Sequence, residues 1–300
     1  MSLRKRFREL LAAPGMVLAP GAYDALSARI IEAQGFDVVV AGGYAAVGVL
    51  LGQPDTGQSN MRDYADHYGR ICAAVNVPVY VDGDTGFGGV NNVRQMVRAF
   101  ENAGVAGLFI GDQVFPNRCG YMEGKQLVPA QEMLSKLKAA LDARRDPDLY
   151  IVARTDALSV EGVDGAIERA QLYKDIGVDM AKVIGADDLD IFKRILREVP
   201  GPQMANQSNA NPKGMSSPSE FEAAGAAMMT FPSAALFAAV GGVTRAMGAL
   251  RRDHSLDNAR PGFCTLDDYY ELVGLKRQNQ SEQDYLAAAK AVIEKHKQGR

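Results

Sequence analysis

A chain of 300 residues, 47% hydrophobic and 23% charged, can bury a large core, which excludes global disorder. The length is normal for one α/β barrel. A formal net charge of −3 argues against a nucleic-acid partner, because phosphate-backbone binding needs clustered Lys and Arg.

The cysteines are Cys72, Cys119 and Cys264. They form no disulfide framework and suit a reducing, cytoplasmic compartment. With no CxxC pair and with His67, His254 and His296 scattered, a zinc site is not expected.

The opening Arg4-Lys5-Arg6, followed by Glu9, reads as a solvated helix end. The apolar stretch from Leu10 to Ala22 has some likeness to a secretory leader. Pro14, Gly15 and Pro20 interrupt it, which a leader's apolar region does not tolerate well. Short apolar runs then recur: Met16–Pro20, Val38–Ala41, Val79–Asp82, Gly107–Ile110, Tyr150–Arg154, Met180–Ile184, Gln203–Asn206 and Ala227–Phe231. Continuous runs of this kind suit parallel strands buried on both faces. Between them lie helical patterns such as Val93-Met96-Val97-Phe100 and Ile167-Ala170-Tyr173-Ile176. Several such stretches end in glycine, at Gly35, Gly104, Gly177 and Gly225, as helices stopped in the left-handed conformation do.

The run Ala223–Val243 carries no charge over the length of a membrane span. Its Ala- and Gly-rich composition and Pro232 favour a buried strand, a loop and a packed helix, so no membrane partner is expected. The tail from Leu266 to Lys297 reads as two helices with the polar stretch Gln278–Gln283 between them. No domain linker is visible. Residues 1–300 are expected to form a single (β/α)8 TIM-type barrel domain, with 245–300 a helical extension used in oligomerisation. An open doubly wound sheet is the alternative.

Chemistry in such a barrel sits at the C-terminal ends of the strands. The residues expected on that rim are Ala41-Gly42-Gly43, Asp82 to Gly86, Gly111-Asp112-Gln113, Arg154-Thr155-Asp156 and Asn206-Gln207-Ser208. Asp82 and Asp84 are two apart at a strand end and can both project into the mouth, where paired carboxylates with an open shell suit Mg²⁺. A tight turn whose aspartates cap backbone amides is the alternative. Arg154 follows four apolar strand residues and needs an anionic partner. That partner is either a substrate carboxylate held bidentately or an internal salt bridge to Asp82, Asp112 or Asp156. Cys119 lies in a polar loop near Arg118 and Lys125, where a thiol of lowered pKa can move a proton; packing as a small hydrophobe is the alternative. Cys72 and Cys264 are read as packing residues.

The strings Val81-Asp82-Gly83-Asp84-Thr85-Gly86-Phe87-Gly88, Asp112-Gln113 and Arg118-Cys119-Gly120 resemble the isocitrate lyase/phosphoenolpyruvate mutase superfamily. So do Pro20-Gly21-Ala22-Tyr23-Asp24-Ala25, Gly52-Gln53-Pro54-Asp55 and Ala153-Arg154-Thr155-Asp156-Ala157. The likeness runs in order from about Arg6 to about Gly242 and is strongest to the short bacterial branch of 2-methylisocitrate lyase, 2,3-dimethylmalate lyase and carboxyphosphonoenolpyruvate phosphonomutase. The resemblance implies a last helix exchanged between subunits of a homo-oligomer, a tetramer or a dimer. It implies Mg²⁺, or Mn²⁺, near Asp82 and Asp84, partly through waters held by Asp55. It further implies that Gly42 and Gly43 offer backbone amides to a keto carboxylate, that Arg154 anchors it, and that a mobile loop carries Cys119 as proton donor. Asn206, Ser208 and Tyr121 are the remaining expected substrate contacts, and Asp55 joins Cys119 and Arg154 as a catalytic candidate.

The pattern also breaks. Gly111 stands where the family has Glu before Asp-Gln, and Val183-Ile184 replaces a Pro-Glu pair. Asn206-Gln207-Ser208-Asn209 replaces Asn-Met-Thr-Glu. Tyr121 replaces His after Cys-Gly, and Ala41 replaces Ser. Missing acids at Gly111, Ile184 and Asn209 are expected to weaken a hydrated metal. The leading expectation is a Mg²⁺-assisted C–C lyase on a small 2-hydroxy di- or tricarboxylic acid, releasing a keto acid. An oxaloacetate-type decarboxylase or hydrolase, a phosphonomutase, and a non-catalytic carboxylate-binding barrel are the alternatives.

Overall fold

The computed structural model describes residues 1–118, 120, 122, 124–207 and 217–299. Eight strands lie in that span: β1 (Val17–Pro20), β2 (Val39–Ala41), β3 (Val79–Asp82), β4 (Gly107–Gly111), β5 (Tyr150–Thr155), β6 (Met180–Val183), β7 (Met204–Asn206) and β8 (Met228–Phe231). Each coincides with an apolar run of the sequence to within a residue at either end. The helices are α1 (Leu3–Ala12), α2 (Ala25–Ala33), α3 (Gly43–Leu51), α4 (Met61–Ala74), α5 (Val90–Asn102), α6 (Ala130–Ala143), α7 (Gly162–Asp175), α8 (Leu189–Glu198), α9 (Pro218–Ala224), α10 (Ala234–Asp253), α11 (Leu266–Val273) and α12 (Leu275–Gln298).

All strand pairings are parallel. One ladder runs β2-β3-β4-β5-β6 and another β1-β8-β7, and a parallel bridge from Gly21 to Val40 joins β1 to β2. Every strand is followed by helix, and the architecture is a (β/α)8 barrel. The glycines that end the helical stretches, Gly35, Gly104, Gly177 and Gly225, all have positive φ.

Two apolar layers form because a parallel strand buries both faces. Outward-facing Val39, Val81, Leu108 and Ile151 pack with helix residues Phe100, Leu137, Tyr173 and Phe192. Inward-facing Val38, Tyr80, Val152, Met180, Met204 and Met228 fill the barrel, together with Phe7 and Leu11 of α1. Phe7 is fully buried. Its ring stacks on Tyr80 at 5.8 Å and meets Tyr150 edge-on at 5.4 Å. Gly107 leaves the space for this, since a Cβ there would lie 2.7 Å from the Phe7 ring.

The basic start of α1 is therefore more than a solvated helix end. Arg4 donates to the Val105 carbonyl at 2.9 Å and pairs with Asp146 at 2.8 Å. Arg8 pairs with Asp179 at 2.9 Å and lies over the Tyr150 ring. These partners stand at or just before the N-terminal ends of β4, β5 and β6. The arginines hold a plug across the end of the barrel opposite the functional rim.

Contacts divide the chain into a unit of Met1–Val240 and a unit of Gly241–Arg300, and α10 runs across the division. Within the second unit the tail is two helices, as expected, but the break falls elsewhere. Gly274, with φ 76°, ends α11 in the left-handed conformation, whereas Gln278–Gln283 lies inside α12. A polar run is tolerated in an exposed helix, and a residue forced to positive φ is what stops one. Among the described residues no helix is long and apolar enough to cross a membrane. The uncharged run ending at Val243 supplies β8 and the first half of α10 instead.

Removing the plug ring, Phe7→Ala, is expected to destabilise the protein by about 3–5 kcal/mol, the usual loss for a buried aromatic. Lys5→Ala on the exposed face of α1 should change little. Urea unfolding of the two variants checks the difference.

Candidate active site

At the C-terminal ends of the strands a cavity of ≈ 240 Å³ opens. Its chemistry comes from Asp55, Asp82, Arg154, Lys182, Asn206 and Thr230, and its apolar walls include Tyr80, Phe109 and Ile184. Register explains the convergence: Asp82 pairs with Phe109, Arg154 with Lys182, and Asn206 with Thr230 on neighbouring strands. Inward-facing positions at one height thus meet over the apolar filling of the barrel.

Asp82 ends β3. Its Oδ2 accepts from the Gly43 amide at 3.0 Å and its Oδ1 from the Asp84 amide at 2.8 Å. Burial pushes its carboxyl above the usual range, against the pull of Arg154. Asp55 reaches the same cavity from the loop after α3. Burial, and then the charge of Asp82, raise its pKa to about 6, against the Gly57 amide and Arg154.

Asp84 departs from the expectation that both carboxylates enter the mouth, for it does not line the cavity. A left-handed backbone, φ 53°, turns its side chain back. There Oδ1 accepts from the Thr85 amide at 2.5 Å, and the Asn117 amide, oriented to donate, lies 3.2 Å from both oxygens. Burial and the neighbouring Asp82 raise its pKa to about 7.

Arg154 lines the cavity and is held by Asp156, with Nε to Oδ2 at 2.9 Å and Nη2 to Oδ1 at 3.0 Å. Of the two partners open to it from sequence, the internal salt bridge is present. Burial alone would raise Asp156, but Arg154, Lys125 and Gln113 overcome this and hold it low. Lys125 lies 3.4 Å from Asp156 and also donates to the Gly120 carbonyl, so the loop after β4 is tied to the end of β5. Asp112 is fully buried and accepts from the Asp156 amide at 3.0 Å and the Tyr173 hydroxyl at 2.9 Å. It braces the rim from outside the cavity.

Gly42 lines the cavity and caps α3. The Gly43 amide, expected to meet a substrate carboxylate, is instead engaged by Asp82. The position demands glycine, because a Cβ would lie 2.8 Å from the Tyr64 hydroxyl and 3.0 Å from Asp82 Oδ2. Asn206 is in the lining and accepts from the Thr230 hydroxyl at 2.5 Å. Cys119, Tyr121, Ser208 and Asn209 lie outside the described residues. Cys72 is mostly buried, which pushes its thiol up to about 12 and suits packing rather than reactivity.

Sequence reasoning passed over Lys182, Tyr80, Phe109 and Thr230. For Lys182 the signal was present, since it is a single charge inside the apolar run Met180–Ile184. Its side chain is 4% exposed. Burial, and then the charge of Arg154, lower its pKa to about 7, against Asp82, Asp156 and Asp187.

A family model described as phosphoenolpyruvate phosphomutase matches residues 7–251. The 2,3-dimethylmalate lyase of Eubacterium barkeri is 37% identical over 285 residues, covering 95% of this chain and 99% of the relative. The chain belongs to the phosphoenolpyruvate phosphomutase family. Among solved structures, oxaloacetate acetylhydrolase bound to 3,3-difluorooxalacetate superposes with a TM-score of 0.89 at 30% identity, covering 96% of this chain and 97% of that one. Phosphonopyruvate hydrolase in complex with oxalate and Mg²⁺ superposes with a TM-score of 0.85 at 26% identity, covering 95% and 100%. Membership makes the chain an enzyme of this superfamily rather than a non-catalytic binding barrel. Of the positions where the resemblance leads to the expectation of an acid, Gly111 stands at the end of β4 and Ile184 in the cavity wall.

The raised carboxyl of Asp84 has a consequence for stability. Its folded pKa of about 7 lies above the ordinary 3.8, so the native state binds more protons than the unfolded state between those values. Its contribution is present below about 4 and is lost as pH rises towards 7. Without divalent cation, Asp84→Asn should remove that decline. The wild-type-minus-variant difference in unfolding free energy, followed from pH 4 to 8, should fall with rising pH. A flat difference would show that the group is not protonated in the fold.

Proposed function

We propose that this enzyme is a Mg²⁺-assisted C–C lyase acting on a small 2-hydroxy di- or tricarboxylic acid, of the 2,3-dimethylmalate or 2-methylisocitrate type, and releasing a 2-oxo acid. The observation that carries the reading is the meeting of Asp55, Asp82 and Arg154 in one cavity at the strand ends.

The donor set fits a hydrated divalent ion. Burial raises the carboxyls of Asp82, Asp84 and Asp55, and the charge of Asp82 adds to the rise at the other two, so the site carries negative potential that a cation relieves. Among the described residues no three His, Cys, Asp or Glu side chains are placed to hold a metal by themselves. Mg²⁺, or Mn²⁺, would be held by one or two of these carboxylates with waters completing the shell, and the lack of acids at Gly111, Ile184 and Asn209 would make that hold weaker. When bound, the ion would supply Lewis-acid polarisation of a substrate oxygen.

The chain's own residues do the rest. Arg154, oriented by Asp156, anchors a substrate carboxylate. Asp55 accepts the hydroxyl proton, and its raised pKa suits it to a base working near neutrality. Cys119 returns a proton to the departing carbanion carbon. Ile184 offers an apolar wall for an alkyl substituent. Gly42, Asn206, Ser208 and Tyr121 complete the substrate contacts. An oxaloacetate-type C–C hydrolase is the second reading, favoured by the superposition on oxaloacetate acetylhydrolase. Sparse cysteine usage supports a reducing, cytoplasmic compartment.

A panel of 2-hydroxy acids, assayed for pyruvate or glyoxylate release with and without Mg²⁺, tests the proposal; Mg²⁺-dependent release from a methyl-substituted member is expected. Cys119→Ser should then lower turnover by about a hundredfold or more, as loss of a general acid does, with little change in KM. Full activity in that variant would favour the hydrolase or a thiol-independent reaction.

We also read residues 245–300 as an oligomerisation element. Tyr285, Val292 and Ile293 of α12 are all more than half exposed, more apolar surface than a solitary helix presents. Sedimentation at micromolar concentration should show a dimer or tetramer, and Tyr285→Glu with Val292→Glu should shift it towards monomer.

A further inference from the structure

Lys182 is placed where a barrel core ordinarily holds an apolar side chain. It sits in the middle of β6, is 4% exposed, and lines the cavity. Among the described residues its ammonium makes no hydrogen bond and no ion pair, and it lies 5.9 Å from the centroid of the Phe109 ring. Arg154 reaches the same ring, with its guanidinium carbon 5.5 Å from the centroid, and the two residues are register partners on adjacent strands. Like charges directly opposite on neighbouring strands are unfavourable. Asp156 pairs with Arg154, whereas among the described residues Lys182 feels Asp82, Asp156 and Asp187 only at longer range, with no ion pair to any of them. A buried lysine set beside a second cation in an apolar pocket is the arrangement that yields a nucleophilic, neutral amine.

We propose that Lys182 is an imine-forming residue, which gives this cavity a second activity: Schiff-base decarboxylation of a 2-oxo acid that carries a carboxylate on C3. The inference rests on reading the cavity as a site for 2-oxo acids. The Nζ lone pair adds to the C2 carbonyl carbon, the carbonyl π pair moves to oxygen, and that oxygen takes the proton that nitrogen gives up. The carbinolamine takes up a proton and expels water, leaving a protonated imine. The bond from C3 to its carboxylate then breaks. Carbon dioxide leaves, and the electron pair passes through C3–C2 to the iminium nitrogen as an enamine. A proton returns to C3, and water hydrolyses the imine, releasing a 2-oxo monocarboxylic acid and restoring Lys182. No oxidant or reductant is consumed. Arg154 holds the carboxylate on C2, and the Phe109 ring keeps the amine in an apolar setting. The depressed pKa of Lys182, about 7, agrees with a substantial neutral fraction near physiological pH.

The test is reductive trapping. The full chain is incubated with pyruvate or oxaloacetate in EDTA with sodium cyanoborohydride, and intact mass and peptide mapping are recorded. A single reduced keto-acid adduct on Lys182 is expected, with carbon dioxide released from oxaloacetate in EDTA. Lys182→Arg keeps the charge without the nucleophile and should lose both signals. Lys182→Met, with circular dichroism and a thermal melt, separates that loss from misfolding. No adduct on Lys182, adducts spread over surface lysines, or an adduct that persists in Lys182→Arg overturns the proposal. Trapping needs neither Mg²⁺ nor a 2-hydroxy acid, so a failed lyase panel leaves a positive result standing. A working lyase without the adduct removes the imine alone.

Discussion

Arg154 emerges from the apolar filling of the barrel at the end of β5 and is caught at once by Asp156, two residues further on, through two charge-assisted bonds. The site is built around this pair. A buried guanidinium without a partner would be costly, and a buried carboxylate equally so. Paired, they fix the direction of the guanidinium at the rim. Asp156 then extends the arrangement, since it also engages Lys125 from the loop after β4, and its backbone amide rests on Asp112. Arg169 and Tyr173 of α7 hold Asp112 from behind. One ion pair thereby connects two strand ends, a loop and an outer helix. Removing either member would cost the other its bidentate partner in a buried setting, where breaking a pair is damaging.

Much of this was legible in the sequence, and for one physical reason. A parallel barrel buries both faces of each strand, so every strand is written as a continuous apolar run, and the following turn must carry the polar groups. Val79 to Asp82 and Tyr150 to Arg154 show both the strand and the functional residue that ends it. The same rule makes the single charge of Lys182 easy to pass over. A run that reads as apolar absorbs a single charge, and nothing in spacing separates a lysine that points into the barrel from one that leaves at its edge. Local backbone was the other blind spot. The left-handed turn at Asp84 and the capture of the Gly43 amide by Asp82 bring in residues distant in sequence, Asn117 and Tyr64. In the tail, by contrast, Gly274 was visible, but the polar stretch beyond it drew the eye; helix termination follows backbone geometry more closely than polarity.

The departures from the family concern the acidic side of the cavity. Gly111 and Ile184 stand where glutamates were expected, and Asp84 is turned away from the lining. Among the described residues the carboxylates that line the cavity are Asp55 and Asp82. Across the same space are Arg154 and Lys182. Relative to the pattern that the resemblance suggests, the balance of charge at this cavity lies towards the cations, which favours anionic ligands.

Burial acts on all of these groups with one rule and opposite signs. It disfavours the charged form, so it raises Asp55 to about 6 and Asp84 to about 7 and lowers Lys182 to about 7. An empty cavity near neutral pH therefore sheds charge from both sides, with part of its carboxyls protonated and part of its lysine neutral. A dicarboxylate entering beside Arg154 changes the field at each of these groups. It favours the charged lysine and disfavours further carboxylate ionisation, whereas a divalent cation does the reverse. On the proposed reading, substrate and metal would draw protons in opposite directions through the same few side chains, so that the binding of each would be coupled to pH and, through pH, to the binding of the other.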